Sequence, residues 1–217
     1  MLNKMLTILV LPAIGAAGLS AQTQAPKTEN GAVNFSFASG WSFGFPAVRA
    51  AVSIPGVGSA ISPERTSLPA YSAGVSVRAW KFLVPFAEIS GIDTGKAFAQ
   101  VSSLRSEVEA NTYAFHGGLR VVSSKSKIRP YAEFGGGVLR QDLKGTFYES
   151  GRPIPAAGSG SAGSLMYGGG LQVFVGRKWG STVGFDGFRV TSPIQGPGQN
   201  YSRVQFGLFY QTRSSVD

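Results

Sequence analysis

Tyr71-Ser72-Ala73-Gly74-Val75-Ser76-Val77-Arg78-Ala79 alternates residue by residue. The odd positions are Tyr, Ala, Val, Val and Ala, and the even ones are Ser, Gly, Ser and Arg. A period of two is that of an extended strand, whose successive side chains point to opposite faces, one apolar here and one polar. The same beat runs through Val33-Asn34-Phe35-Ser36-Phe37 and through 112–122, where Tyr113, Phe115, Leu119 and Val121 oppose Thr112, His116 and Arg120. It returns in 201–211, where Val204, Phe206, Leu208 and Tyr210 oppose Arg203, Gln205 and Gln211. No helical-period stripe stands out.

Eight such segments are predicted: 31–39, 70–79, 82–91, 111–123, 128–142, 165–176, 181–190 and 201–212. Each approaches or exceeds the length a tilted strand needs to cross a bilayer. Three connections are short, at Trp80-Lys81, 124–127 and 177–180. Four are long, at 40–69, 92–110, 143–164 and 191–200, and most are rich in Gly, Pro and Ser. Short turns at one end and long loops at the other are how outer-membrane barrels are built. Closing the sheet also removes its exposed edges.

A repeat supports this. Pro85-Phe86-Ala87-Glu88 returns as Pro130-Tyr131-Ala132-Glu133, and Gly117-Gly118-Leu119-Arg120-Val121 as Gly169-Gly170-Leu171-Gln172-Val173. Each copy falls two strands further on, so the repeating unit is a hairpin, as in an up-and-down barrel.

The N-terminus reads as a secretory signal over 1–21. Lys4 is its basic residue, Leu6 to Leu19 carries no charge, and Ser20-Ala21 offers small residues for cleavage. Pro12 and Gly15 interrupt the stretch, which argues against an anchor helix. A short lead, 22–30, a barrel, 31–212, and a tail, 213–217, complete the expected organisation.

The 217 residues contain no Cys, which removes disulfides, thiol catalysis, thiolate metal sites and a lipoprotein anchor from consideration. The formal net charge is +9. In an exported chain, that charge points to acidic lipid or lipopolysaccharide phosphates rather than to nucleic acid, or simply to a solvated basic rim. Thirty Gly and fifteen Phe with only 14% charged residues is an unusual mix for a soluble domain.

Arg129-Pro130-Tyr131-Ala132-Glu133-Phe134-Gly135-Gly136-Gly137, then Gly168-Gly169-Gly170-Leu171, then Val204-Gln205-Phe206-Gly207-Leu208-Phe209-Tyr210 resemble the small eight-stranded outer-membrane barrels. That group includes the OmpA transmembrane domain and the OmpX and OmpW types. The resemblance implies an all-β, eight-stranded antiparallel up-and-down barrel in the bacterial outer membrane, reached by export. Such barrels often end on the last aromatic of the final strand, whereas here Gln211 to Asp217 follow Tyr210.

In such a barrel the apolar face meets lipid. Phe35, Phe37, Val75, Val77, Ile89, Phe115, Leu119, Phe134, Leu171, Val173, Phe185, Phe206 and Leu208 are expected there. Tyr71, Tyr113, Tyr167, Tyr201 and Tyr210 are expected at head-group level, where a polar-tipped ring suits the boundary. The opposite face carries Arg78, Glu88, His116, Arg120, Arg129, Glu133, Asp186 and Arg203. These are expected as a structural polar network in a lumen just wide enough for its side chains, with Glu88 and Glu133 each meeting an Arg from a neighbouring strand. A soluble lipocalin-like barrel would reverse the faces.

His116 is the sole histidine. Some small outer-membrane barrels are lipid A deacylases with a His-x-Ser pair on one strand. Here the run is His116-Gly117-Gly118, so the nucleophile position holds Gly and His116 is left with no hydroxyl to activate. One His and no Cys make a metal site implausible, and the triple glycines lack the following helix and Lys-Ser/Thr of a phosphate loop. The expected function is therefore non-enzymatic and without a cofactor: a structural or surface-interaction barrel with lipid, lipopolysaccharide or an unidentified surface ligand as partner. The alternative is a narrow channel for a small or apolar solute. Loop 40–69, with Trp41, Phe43, Phe45 and Ile54 beside Arg49 and Arg65, is a candidate contact surface, and 151–164 is expected to be a low-complexity, mobile stretch.

Overall fold

The computed structural model describes residues 31–44, 52–54, 58–60, 67–101, 104–123, 127–149, 151–191 and 200–212. The signal segment 1–21, the lead 22–30 and the tail 213–217 lie outside them, as do Phe45, Arg49 and Arg65. The described residues form ten strands: β1 (Val33–Phe43), β2 (Val52–Ile54), β3 (Gly58–Ala60), β4 (Ser67–Val77), β5 (Leu83–Val101), β6 (Leu104–Val122), β7 (Ile128–Glu149), β8 (Arg152–Phe174), β9 (Trp179–Val190) and β10 (Asn200–Gln211). Eight close into an antiparallel barrel in the order β1-β10-β9-β8-β7-β6-β5-β4. β2 and β3 form a separate two-stranded hairpin in the first long connection.

The alternation decides which way the sheet faces. Phe35, Phe37, Val75, Val77, Ile89, Phe115, Leu119, Phe134, Leu171, Phe185, Phe206 and Leu208 all point outward and are exposed, and Val173 is half-exposed. Arg78, Glu88, His116, Arg129, Glu133, Asp186 and Arg203 are buried inside, with Arg120 nearly so. A lipocalin-like arrangement is thereby excluded: large hydrophobes coat the outside, where only hydrocarbon can accommodate so continuous an apolar belt. On β8 the belt runs from Leu165 to Val175. Ten residues at about 3.3 Å each, tilted by about 40°, span about 25 Å, the height of an outer-membrane apolar band. Exposed Tyr71, Tyr113 and Tyr167 ring its upper part, and Trp80, Phe82 and Trp179 its lower end.

Tyr210 lies on the outward side of β10, half-buried against Trp179 at that lower end. Two expectations are corrected. Tyr201 is not at the lipid boundary; it is 4% exposed and stacks on Phe188 inside the barrel, with ring centroids 4.4 Å apart. The connections 92–110 and 143–164 are largely strand, not loop. β5 and β6 pair out to Val101↔Leu104, and β7 and β8 pair without interruption to Glu149↔Arg152. The stretch 151–164 is therefore not a mobile loop but the turn and upper half of a hairpin, with Gly151 at φ 80 supplying the left-handed position that its tight turn needs.

The neighbours β4 and β9 stop at the rim. β4 pairs with β5 only up to Ala70↔Ile92, and β9 leaves β8 at Ser164↔Val190, one residue before Thr191 N–H donates to Gly163 C=O. The register of β5 on β6 slips between Asp93 and Lys96, at the height where the strands leave the barrel. β5, β6, β7 and β8 thus continue upward as one four-stranded sheet. Arg140 to Glu149 alone gives it roughly 30 Å of strand.

Candidate functional site: the lumen

The lumen is layered. At the short-turn end, the Arg129 guanidinium lies 4.3 Å from the Phe174 ring centroid, and Arg78 donates from Nη1 to the Lys81 carbonyl. Both arginines are buried there. At the opposite end the interior is apolar: Leu68, Ala70, Ile92, Leu139, Met166, Phe188, Val190 and Tyr201 form one packed cluster. The sequence reading gave the interior as a polar network, and this greasy outer layer is an addition to it. Its residues occupy the same inward-pointing series as the charges, further along the strands.

Between these layers lie the ion pairs. Arg120 and Glu133 face each other on adjacent β6 and β7, with Arg120 Nη2 2.6 Å and Nε 2.7 Å from Glu133 Oε2. Arg120 is sandwiched between the Phe86 and Tyr131 rings, its guanidinium 5.4 and 4.5 Å from their centroids. These two rings are equivalent residues of the two repeats. The register is also equivalent, since Pro85↔Leu119 and Ala87↔Gly117 in one hairpin match Pro130↔Leu171 and Ala132↔Gly169 in the other.

Glu88 departs from expectation. Its partner is Arg203 on β10, which is not adjacent to β5: β1 and β4 stand between them in the ring. Arg203 reaches across the lumen, with Nη2 2.6 Å from Glu88 Oε1. The same guanidinium donates to Asp186 Oδ2 through Nε at 3.0 Å and Nη2 at 2.8 Å, and Gln205 Nε2 adds a further bond to that oxygen at 2.8 Å. Ser72 Oγ donates to Gln205 Oε1 at 3.0 Å, tying β4 into the cluster. The eight residues singled out from the sequence therefore all line one lumen, and five of them, Glu88, Arg120, Glu133, Asp186 and Arg203, meet as ion pairs.

His116 requires another correction. A hydroxyl does lie within reach: Ser164 Oγ on β8 is 2.8 Å from His116 Nε2. Sequence spacing along one strand could not reveal it, because β7 lies between them. Both side chains are buried in the lumen, and the His116 ring packs 5.2 Å from Phe188 under the apolar layer. His116 Nδ1 has no hydrogen-bond partner among the described residues. A general base that activates a nucleophile is itself oriented through its second nitrogen and faces the substrate. This pair has neither feature. Among the described residues no group of three His, Cys, Asp or Glu side chains could hold a metal ion.

No protein-family description matches the chain, and no curated protein does. Solved structures match in fold. The attachment invasion locus protein Ail of Yersinia pestis is 13% identical, with a TM-score of 0.50, covering 85% of this chain and 100% of its own. The same protein in complex with the heparin analogue sucrose octasulfate gives 12% identity and a TM-score of 0.52, with the same coverage. Neisserial surface protein A, NspA, is 11% identical at a TM-score of 0.48, covering 83% of this chain and 96% of its own. With its lipid-facing belt, closed ring and sealed interior, the chain is a small eight-stranded outer-membrane β-barrel.

Proposed function

We propose that the chain is exported by its N-terminal signal and acts in the outer membrane as a non-enzymatic scaffold for surface contacts, made through the sheet that β5–β8 raise above the rim. The observation that carries this reading is the contrast between the two parts of the molecule. The lumen is filled by ion pairs and closed by an apolar layer, whereas the hairpins invest roughly 30 Å of ordered strand beyond the bilayer. Exposed, rigid elements of this kind are where contact residues are carried. Ail, similar in fold, is an attachment invasion locus protein and has been solved in complex with a heparin analogue, which is consistent with such a role. Lipid and lipopolysaccharide are the proposed immediate neighbours. Arg140, opposite Tyr113, and Arg189, opposite Leu165, are exposed near the tyrosine level, and the chain carries a net +9.

The test replaces 141–160 by a short turn and compares attachment of cells displaying each form to immobilised host matrix and to heparin. Heat-modifiable gel migration checks that both forms close as barrels. Lost attachment with a folded barrel supports the proposal. Unchanged attachment together with stepwise conductance in planar bilayers would transfer the function to the lumen.

A further inference from the structure

One register row of the barrel carries its charges in an unusual order. Read around the wall it is Arg120 on β6, Glu133 on β7, Gly168 on β8, Asp186 on β9 and Arg203 on β10. The two acids are separated by a residue without a side chain. In the other repeat the equivalent position, opposite Glu88, is filled by His116. Gly168 leaves a gap there, and a Cβ at this position would collide with Asp186 Oδ1. With no side chain between them, the Glu133 and Asp186 carboxyls face each other across the gap, into which Asp186 Oδ1 projects.

Each acid has one oxygen committed to its own arginine: Glu133 Oε2 to Arg120, and Asp186 Oδ2 to Arg203 and Gln205. The other oxygens, Glu133 Oε1 and Asp186 Oδ1, are buried and find no donor among the described residues. Two buried carboxylates with unsatisfied oxygens on either side of one empty position repel strongly, and like charges so placed do not both ionise. The charge count agrees. The described groups facing the site are Arg120 and His116 from β6, Glu88 from β5, Tyr131 from β7, Arg203, Gln205 and Tyr201 from β10, Ser164 from β8 and Ser72 from β4. Two guanidiniums stand against three carboxyls. His116 shares the Phe188 ring with Arg203, so a second cation there would sit beside the first.

We propose that Glu133 and Asp186 form a proton-binding site in the closed lumen, sharing one proton across the gap at Gly168. The proton turns two orphaned acceptors into a donor and an acceptor and balances the third acid. It also joins the Arg120 pair to the Arg203 cluster, so one continuous network runs from β6 to β10. Losing the proton leaves this cluster, though not the lumen as a whole, with a net negative charge and pushes β7 and β9 apart.

Infrared difference spectroscopy in an ester-free detergent tests this at neutral pH, where an isolated surface carboxyl is fully ionised. The folded wild type is expected to show the C=O stretch of a protonated carboxylic acid, shifting in heavy water. It should vanish as pH is raised, with a matching drop in resistance to urea. E133Q and D186N, each confirmed as closed by heat-modifiable migration, should both lack the band and lose the pH dependence of urea resistance. A wild type without the band at neutral pH overturns the proposal, and because this reading needs no variant, a folding failure cannot obscure it. A band that persists in folded E133Q or D186N overturns it as well, by placing the proton elsewhere.

Discussion

Replacing Arg203 by Met should unfold the barrel far more easily than any other single lumen substitution. Arg203 is 2% exposed and bonds two carboxylates at once, Asp186 at 3.0 and 2.8 Å and Glu88 at 2.6 Å. Methionine fills much of the same volume but gives those acids nothing. Removing one partner of a buried ion pair typically costs about 3–5 kcal/mol, because the remaining charge is stranded away from water. Here two charges are stranded, so the upper end of that range is expected. The cost should grow as pH rises, since protonating an orphaned carboxyl at low pH relieves it. Neutralising the whole cluster is the decisive comparison. R203M/E88Q/D186N leaves no stranded charge and should recover to within about 1 kcal/mol of the wild type or exceed it, as buried ion clusters do when replaced together. Urea unfolding in phospholipid bilayers, followed by fluorescence of the lipid-exposed Trp41, Trp80 and Trp179, measures both variants. If R203M alone stays within about 1 kcal/mol of the wild type, water or an alternative donor reaches those acids, and the sealed-lumen account fails.

Two further outcomes are expected. Phe134 lies midway along the lipid face of β7, so F134R should cost about 2–4 kcal/mol in the same unfolding assay while F134L costs little; equal effects would show that this face does not meet hydrocarbon. Above Gly163 no described strand pairs with the outer side of β8. Its even residues bond to β7, as Phe174 N–H does to the Lys127 carbonyl, so the odd ones aim their backbone groups outward. Pro153 and Pro155 are both odd and present no N–H to that open edge, which blunts it against pairing with another chain. P153T/P155T should convert a monomer into concentration-dependent oligomers by chemical cross-linking in detergent, and a double variant that stays monomeric would remove the prolines from this role.

The barrel was legible in the sequence because its physical cause is local. A strand with lipid on one side and a filled lumen on the other must alternate, and Tyr71 to Ala79 alternates whatever surrounds it. The inward direction of Arg78, Glu88, His116, Arg120, Arg129, Glu133, Asp186 and Arg203 follows from the same parity. The upper halves of β7 and β8 escaped because they rise above the rim, where there is neither lipid on one side nor a filled lumen on the other to enforce that pattern. In Pro153 to Gly163 the strand is held by backbone bonds to β7, which leave no trace in side-chain chemistry. Tyr201 escaped for the opposite reason: a tyrosine at a strand end fits a lipid boundary as well as a stack on Phe188, and only the register separates the two.

The contacts that matter most depend on which residues the closed ring brings level. Glu88 meets Arg203 because closure puts β5 and β10 on opposite sides of a narrow lumen, and His116 meets Ser164 over an intervening strand. Gly168 is the extreme case. As a residue in Gly168-Gly169-Gly170 it carries no information beyond permissiveness. Placed between Glu133 and Asp186 by two strand registers, its missing side chain leaves two acids facing each other, and the chemistry of the lumen then turns on a group that is not there.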